Sequence, residues 1–112
     1  MRSLVAVLTV SVLSAATAWS ADADAKAGRT AYEKECRDCH AMNGAPVSSV
    51  AKAMRKQQVE MRSLASKEVQ AQSDAEWRKM VIEGIGRMKP VKSLSGPGID
   101  DVIAYMRGLK KK

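Results

Sequence analysis

The sequence predicts a small all-α domain, on the basis of its length, its helical patterns and its lack of strand patterns. The chain has 112 residues, which is enough for one small domain. Apolar residues recur at helical spacing in several segments, and one of these segments follows a helix-capping sequence. No segment combines sustained apolar–polar alternation with β-branched residues, so no sheet is expected.

The first twenty residues have the pattern of a secretory signal peptide. A basic start precedes an apolar run from Leu4 to Leu13, and small residues follow it. Cleavage is expected after Ser20, with Ala18 as the alternative position. The apolar run is short for a membrane span, so an uncleaved anchor is the less favoured alternative. We therefore expect a signal peptide over residues 1–20, a mature domain over residues 21–112 without a transmembrane segment, and export to the periplasm.

The first helix of the mature chain is expected from Asp24 to about Glu35. It has an acidic start and a basic residue near its end, which suits the helix dipole. Gly28 and Tyr32 lie four residues apart on one face of this helix, and Cys36 continues that face. Residues 41–46 contain Asn-Gly and Pro, which are typical of a loop.

The segment from residue 47 to residue 72 has the weakest pattern in the chain. Its first part contains a helical stripe, formed by Val50, Ala53, Met54 and Gln57, and a basic solvent face, formed by Lys52, Arg55 and Lys56. Residues 67–72 are polar and fit either a short helix or a surface loop.

Two further helices are expected in the last third of the chain. Ser73 and Glu76 have the spacing of a capping box, and the helix that they start has an apolar face of Trp77, Met80 and Val81. Residues 84–90 contain two glycines and a proline and should form a helix-breaking loop. The last helix is expected over residues 99–109, with its apolar side formed by Ile99, Val102, Ile103 and Met106.

Both cysteines and the only histidine of the chain lie in the run Cys36-Arg37-Asp38-Cys39-His40. A C-x-x-C-H run is the attachment signature of a c-type haem. Two thiols about one helical turn apart can add to the two vinyl groups on one edge of a porphyrin, and the adjacent imidazole can bind the iron from the proximal side. We therefore expect one covalent haem c on Cys36 and Cys39, with His40 as an iron ligand.

Three other uses of the cysteines are less favoured. A structural zinc site needs four ligands, and the chain offers three Cys or His residues, so a carboxylate or a partner chain would have to complete it. A thioredoxin-like dithiol would lie near a βαβ pattern, which the sequence lacks. A plain disulfide is compatible with export but would leave His40 without a purpose.

A low-spin haem in an electron carrier needs a second axial ligand, and methionine is the expected donor because the chain has no second histidine. The mature chain has six candidates: Met42, Met54, Met61, Met80, Met88 and Met106. Met42 is too close to His40 to reach the opposite face of the haem. Met54, Met80 and Met106 lie on apolar stripes of predicted helices, where a methionine more often packs in the hydrophobic core than binds a metal.

Met88 differs from the other methionines in its surroundings. Gly84 and Gly86 precede it and let the backbone approach a flat ligand closely. Pro90 follows it and prevents a helix, so the side chain can point inward from a loop. We expect Met88 to be the distal iron ligand, with Met61 as the leading alternative.

These motifs together resemble those of the class I monohaem cytochromes c of bacterial type. Gly28 and Tyr32 stand eight and four residues before Cys36, where that family has a small residue and an aromatic residue. Residues 86–90, Gly-Arg-Met-Lys-Pro, resemble its distal loop, and residues 99–107, with Tyr105, resemble its C-terminal helix. The resemblance covers most of the mature chain and is weakest over residues 47–72.

The resemblance implies a fold of three to five helices around the covalently attached haem, with the first and last helices crossing near Gly28 and Tyr105. It also implies that the carbonyl of Pro46 accepts a hydrogen bond from the ring of His40, which would raise the basicity of the imidazole. For Trp77 it suggests a contact with the haem or one of its propionates, with simple core packing as an equal alternative.

The formal net charge of +7 favours acidic partners. Lysine and arginine side chains around an exposed haem edge would steer acidic redox partners towards it, although a solvated surface offset by the propionates is the simpler alternative. Nucleic-acid binding is disfavoured because the basic residues show no aromatic interleaving.

The expected function is that of a periplasmic single-haem electron carrier, not of an enzyme. With His40 and Met88 in both axial positions, the iron would have no open site for a substrate. The main alternative is a cytochrome subunit of an exported dehydrogenase or oxidase complex. A third alternative is a haem enzyme or gas sensor with a labile distal ligand.

Overall fold

The computed structural model describes residues 23–111, and its regular secondary structure is helical. The α-helices are α1 (Ala25–Glu35), α2 (Arg37–His40), α3 (Ser48–Lys56), α4 (Lys67–Gln70), α5 (Asp74–Glu83) and α6 (Pro97–Gly108), and a 3₁₀ turn (Leu109–Lys111) follows. Helices α2 and α4 are single turns of four residues. The predicted all-α class is confirmed, and the predicted signal peptide lies outside the described residues.

Helix α1 begins at a side-chain cap provided by Asp24. The carboxylate of Asp24 accepts hydrogen bonds from the N–H groups of Lys26 at 2.9 Å and Ala27 at 3.1 Å. These bonds satisfy two of the donors that a helix start leaves unpaired. The N–H of Asp24 itself donates to the carboxylate of Asp101 on α6 at 2.8 Å. The cap therefore also ties the start of α1 to the last helix.

Helices α1 and α6 cross at Gly28. A Cβ atom at Gly28 would lie 1.8 Å from the carbonyl oxygen of Asp101 and 2.9 Å from the nitrogen of Val102, so the two backbones are in direct contact. One turn further along both helices, the rings of Tyr32 and Tyr105 pack with their centroids 4.9 Å apart. The helices therefore cross in the predicted region, with Asp101 and Val102 opposite the glycine and the tyrosines beside it.

The hydrophobic core is formed mainly by α1, α5 and α6. Its most deeply buried large side chains are those of Trp77, Tyr32, Ile99, Leu109 and Val102. Val81, Ile103, Tyr105 and Met106 complete it. These residues include most of the predicted apolar faces of the last two helices, although Met80 is only half-buried.

Specific capping and helix-ending residues set both ends of α5 and the start of α6. The hydroxyl of Ser73 accepts from the N–H of Glu76 at 3.1 Å, and the carboxylate of Glu76 accepts from the N–H of Ser73 at 2.9 Å, which confirms the predicted capping box. Helix α5 ends at Gly84 as expected. Helix α6 begins at Pro97, two residues before the predicted start, because proline suits the first position of a helix.

The segment with the weakest sequence pattern contains α3 and α4. The predicted basic face of α3 is confirmed, because Lys52, Arg55 and Lys56 are exposed. The predicted stripe is only partly right: Val50 and Met54 are half-buried, whereas Ala53 and Gln57 are exposed. Ala51, which was not in the stripe, is buried. Residues 67–70 form the short helix that was one of the two possibilities for that segment.

Among residues 23–111, no helix is long and apolar enough to cross a membrane.

Candidate haem site

Helix α2 places the C-x-x-C-H motif on one turn directly after α1. The N–H of Cys36 donates to the carbonyl of Tyr32 at 2.8 Å, and the N–H of His40 donates to the carbonyl of Cys36 at 3.0 Å. Both cysteines are free thiols, with Cys36 half-buried against the core and Cys39 exposed. Burial raises the pKa of the Cys36 thiol to about 11, with smaller contributions from Glu35 and Cys39. Cys36 is therefore protonated at neutral pH.

An open cavity of about 310 Å³ adjoins this motif. It is lined by Cys39 and His40, by Val50 and Met54 of α3, and by residues 59–61 and 85–88. The charged side chains of this lining are those of Glu60 and Arg87, and the rest is mainly apolar or sulfur-containing. The cavity therefore has the apolar walls and soft donors that suit a macrocycle with a metal centre.

His40 is held in its neutral form with one nitrogen buried. Burial lowers the pKa of its imidazole below the usual value, so the ring is neutral at pH 7, which is the form that binds a metal. Within residues 23–111, the buried Nδ1 atom has no hydrogen-bond partner. The other ring nitrogen, Nε2, is then the natural atom for a metal ion.

The expected hydrogen bond from the His40 ring to the carbonyl of Pro46 is not present, because Nδ1 has no partner. The short loop after α2 instead forms hydrogen bonds within itself and back to α2. The side chain of Asn43 accepts from the N–H of Ala45 at 3.0 Å, and the N–H of Val47 donates to the carbonyl of Cys39 at 3.0 Å. These bonds turn the chain into α3 within a few residues, which accounts for the difference from the expected contact.

Three of the six candidate methionines line the cavity, namely Met54, Met61 and Met88. Met106 is buried in the core and Met42 packs against it, so neither faces the cavity. Met80 is also absent from the lining. Met88, the predicted ligand, and Met61, its alternative, therefore both line the cavity together with His40. The structure also brings Met54 to the cavity, where the sequence favoured core filling.

The loop that presents Met88 is a tight turn built around two glycines. Gly84 and Gly86 have φ angles of 74° and 55°, which residues with side chains rarely adopt. Ile85 and Met88 exchange backbone hydrogen bonds of 3.1 and 2.9 Å across the turn. The N–H of Val91 then donates to the carbonyl of Val81 at 2.9 Å and returns the chain to α5. The loop is therefore closed at both ends, with Met88 half-buried at the cavity.

Trp77 belongs to the core and not to the cavity. Its indole N–H donates to the carbonyl of Val69 and to the side chain of Gln72, both at 3.2 Å. The guanidinium of Arg107 lies 3.7 Å from the centre of a Trp77 ring. Of the two expectations for Trp77, the structure therefore supports core packing.

Sequence reasoning missed several residues of the cavity wall, including Val59, Glu60 and Ile85. Val59 and Glu60 follow Gln58, whose φ of 62° ends α3 and redirects the chain. Glutamine is not a usual residue for this conformation, so the sequence carries no signal for the turn. Ile85 could have been found, because it lies between the two glycines that precede Met88.

The described part of the chain does not support the zinc alternative. Across residues 23–111, no group of three or more His, Cys, Asp or Glu side chains is placed to hold a metal ion. The motif offers two thiols and one imidazole beside an apolar cavity, which suits a covalently attached haem better than a closed zinc site.

Comparisons with known proteins agree with this geometry. Residues 23–106 match the family described as cytochrome c oxidase, cbb3-type, subunit III. The chain belongs to this cytochrome c family. A solved structure of the KustC0563 c-type cytochrome is similar, with a TM-score of 0.59 and 26% identity, over 73% of this chain and 95% of that one. No match is found among curated protein sequences.

The protein is accordingly a small monohaem cytochrome c. Its cofactor is a covalently bound haem c with iron, and its function is electron transfer.

Proposed function

We propose that this cytochrome is a periplasmic electron carrier, with Cys36 and Cys39 bonded to the haem and His40 and Met88 as axial iron ligands. The observation that carries the proposal is the shared cavity: His40 and Met88 are 48 residues apart in sequence and line the same space. In this proposal residues 1–20 are the signal peptide and residues 21–112 the mature cytochrome. When bound, the haem supplies a one-electron couple between ferrous and ferric iron.

The residues of the chain would share the work of holding and tuning the haem. Cys36 and Cys39 fix its position through two thioether bonds, one next to the core and one at the exposed end of α2. His40 offers a neutral imidazole. Met88 offers a soft thioether, which favours ferrous iron and raises the potential. The apolar wall limits access of water to the iron.

A carrier is favoured over a catalyst because the chain supplies two axial ligands. An imidazole and a thioether on opposite sides of the iron leave no coordination position for a substrate. Electron exchange with a partner would then take place at the open side of the cavity.

The partners of such a carrier would be redox proteins with acidic surfaces. Arg87 lines the cavity, and α3, which contributes Val50 and Met54 to the same lining, exposes the basic side chains of Lys52, Arg55 and Lys56. Together with the net charge of +7, they would accelerate encounters with an acidic partner, and salt would weaken the effect.

A subunit of a larger redox complex is the second candidate, and two observations favour it. The matching family is described as an oxidase subunit. Ile82, near the end of α5 and outside the cavity lining, is 54% exposed, which suits contact with another chain. Co-purification with a larger redox protein would support the subunit, whereas rapid, salt-sensitive exchange with a soluble partner would support the free carrier.

The distal ligand is tested by replacing two methionines that line the same cavity. In the oxidised holoprotein, Met88→Ala should abolish the weak long-wavelength absorption band of a sulfur–iron bond and lower the reduction potential, because a soft ligand of ferrous iron is lost. Met61→Ala is the matched control and should retain the band. Loss of the band in Met61→Ala, with retention in Met88→Ala, would show that the assignment of Met88 is wrong.

A further inference from the structure

Two tyrosine hydroxyls donate to the peptide that carries His40. The hydroxyl of Tyr32 on α1 lies 2.6 Å from the carbonyl oxygen of Ala41 and 3.2 Å from that of His40. The hydroxyl of Tyr105 on α6 lies 2.7 Å from the carbonyl oxygen of Met42. The carbonyl groups of three consecutive residues, 40 to 42, therefore accept hydrogen bonds from two hydroxyl groups at the crossing of α1 and α6.

The peptide that these tyrosines hold has a strained backbone conformation. Ala41 has a φ of 49° and a ψ of 167°, a conformation that residues with side chains rarely adopt. Histidine ligands usually donate their second ring N–H to a carbonyl or carboxylate, which fixes the ring. In the described chain the Nδ1 atom of His40 has no such partner. The orientation of the ring therefore depends on its backbone.

We propose that Tyr32 and Tyr105 are positioning residues for His40 and set the reduction potential of the haem through it. The inference rests on the proposed role of His40 as the proximal iron ligand. Each hydroxyl places the positive end of an O–H dipole against a carbonyl oxygen close to His40. These dipoles offset the negative carbonyl ends and hold the imidazole in one orientation.

The sign of the effect follows from this arrangement. Without the hydroxyls, the carbonyl oxygens of His40 and Met42 lose the tyrosine hydrogen bonds, and that of Ala41 keeps only the bond from the N–H of Gly44 at 3.2 Å. The more negative potential near the iron favours the ferric state. A looser peptide also admits water, which stabilises the higher charge of ferric iron. Both changes lower the reduction potential.

The test compares Tyr32→Phe and Tyr105→Phe with Gln70→Leu as a matched control. Gln70 also covers two backbone carbonyls, because its side-chain amide donates to Leu64 at 2.8 Å and to Met106 at 3.0 Å. It does not line the cavity. All three variants remove hydrogen bonds to partly buried carbonyls, so a general loss of stability should appear in each of them.

Midpoint potential is the readout that separates positioning from stability. At the potential where the wild-type holoprotein is half reduced, both tyrosine variants should be mostly oxidised, and the Gln70→Leu variant should remain half reduced. Equal potentials in all four proteins would overturn the proposal, even if the tyrosine variants unfold more easily.

A measurement on the wild-type protein covers the case in which a variant does not fold. Proton NMR should show hydroxyl protons of Tyr32 and Tyr105 that exchange slowly with water and lie close to residues 40–42. Rapidly exchanging hydroxyls would overturn the proposal. The same spectra of the oxidised protein should contain strongly shifted ring signals of His40, and their absence would instead overturn the proposed haem ligation.

Discussion

Single backbone conformations decide how the distal loop reaches the cavity. Gly84 has a φ of 74°, and a Cβ atom there would lie 2.4 Å from the carbonyl oxygen of Met88. Gly86 has a φ of 55°, but a Cβ atom there would meet no atom within 4 Å. Gly84 is therefore needed for both its conformation and its lack of a side chain, whereas Gly86 is needed for its conformation alone.

This difference predicts unequal effects of two alanine substitutions. Gly86→Ala should lower the free energy of unfolding by about 1 kcal/mol, the usual scale of a strained left-handed residue. Gly84→Ala should lower the free energy of unfolding by more, about 3 kcal/mol, because the Met88 carbonyl must also move. Urea unfolding of the holoprotein measures both changes. Equal costs would show that the contact between Gly84 and Met88 does not constrain the loop.

Among single residues, those with a distinctive side-chain chemistry could be predicted from the sequence, whereas those with an unusual backbone conformation were missed. The C-x-x-C-H motif and a methionine of the cavity wall, Met88, could be singled out because thiols, imidazole and thioether are rare and their spacing is informative. The positive φ angles of Ala41 and Gln58 could not be found, since neither residue type is typical of that conformation. The hydrogen bonds of the Tyr32 and Tyr105 hydroxyls likewise depend on the turn at Ala41.

Among the elements, the crossing of α1 and α6 has the closest backbone contact. Gly28 lies against the backbone of Asp101 and Val102, and the Tyr32–Tyr105 pair extends the interface towards the haem motif. Because those tyrosines also contact residues 40–42, the position of α2 depends on this crossing. Separation of the two helices would therefore disturb the haem site as well as the core.

The crossing predicts opposite effects for alanine at two helical glycines. Gly28→Ala should destabilise the protein by about 3 kcal/mol or more, because the added methyl group overlaps the α6 backbone. Gly108→Ala, at the exposed end of α6, meets no atom within 4 Å and should stabilise by about 0.5 kcal/mol. Thermal unfolding monitored by circular dichroism checks both. A Gly28→Ala variant as stable as the wild type would contradict the described crossing.

How well an element could be predicted depends on what it packs against. Helices α1 and α5 both pack against α6, so the apolar faces and caps of these helices are visible in the sequence. Helix α3 borders the cavity through Val50 and Met54, and none of the cavity-lining residues belongs to the described core. In the proposed site its partner is the haem and not a protein surface, which would account for the weak pattern.

For the whole molecule, the haem is expected to complete a small core. The chain has two tryptophans, two tyrosines and no phenylalanine, so it has few large side chains with which to build an interior. At the proposed site, a covalently attached macrocycle would add a large apolar surface and would link α2 to α3 and to the loop that carries Met88. Cofactor binding and stability of this fold should therefore be inseparable.

The most direct test of the account is the mass of the purified protein under denaturing conditions, after expression with haem-attachment machinery. The account predicts a polypeptide of residues 21–112 plus one haem, with the haem on the proteolytic fragment that contains Cys36 and Cys39. A denatured chain that has only the mass of its amino acids, with both thiols free to react, would contradict it.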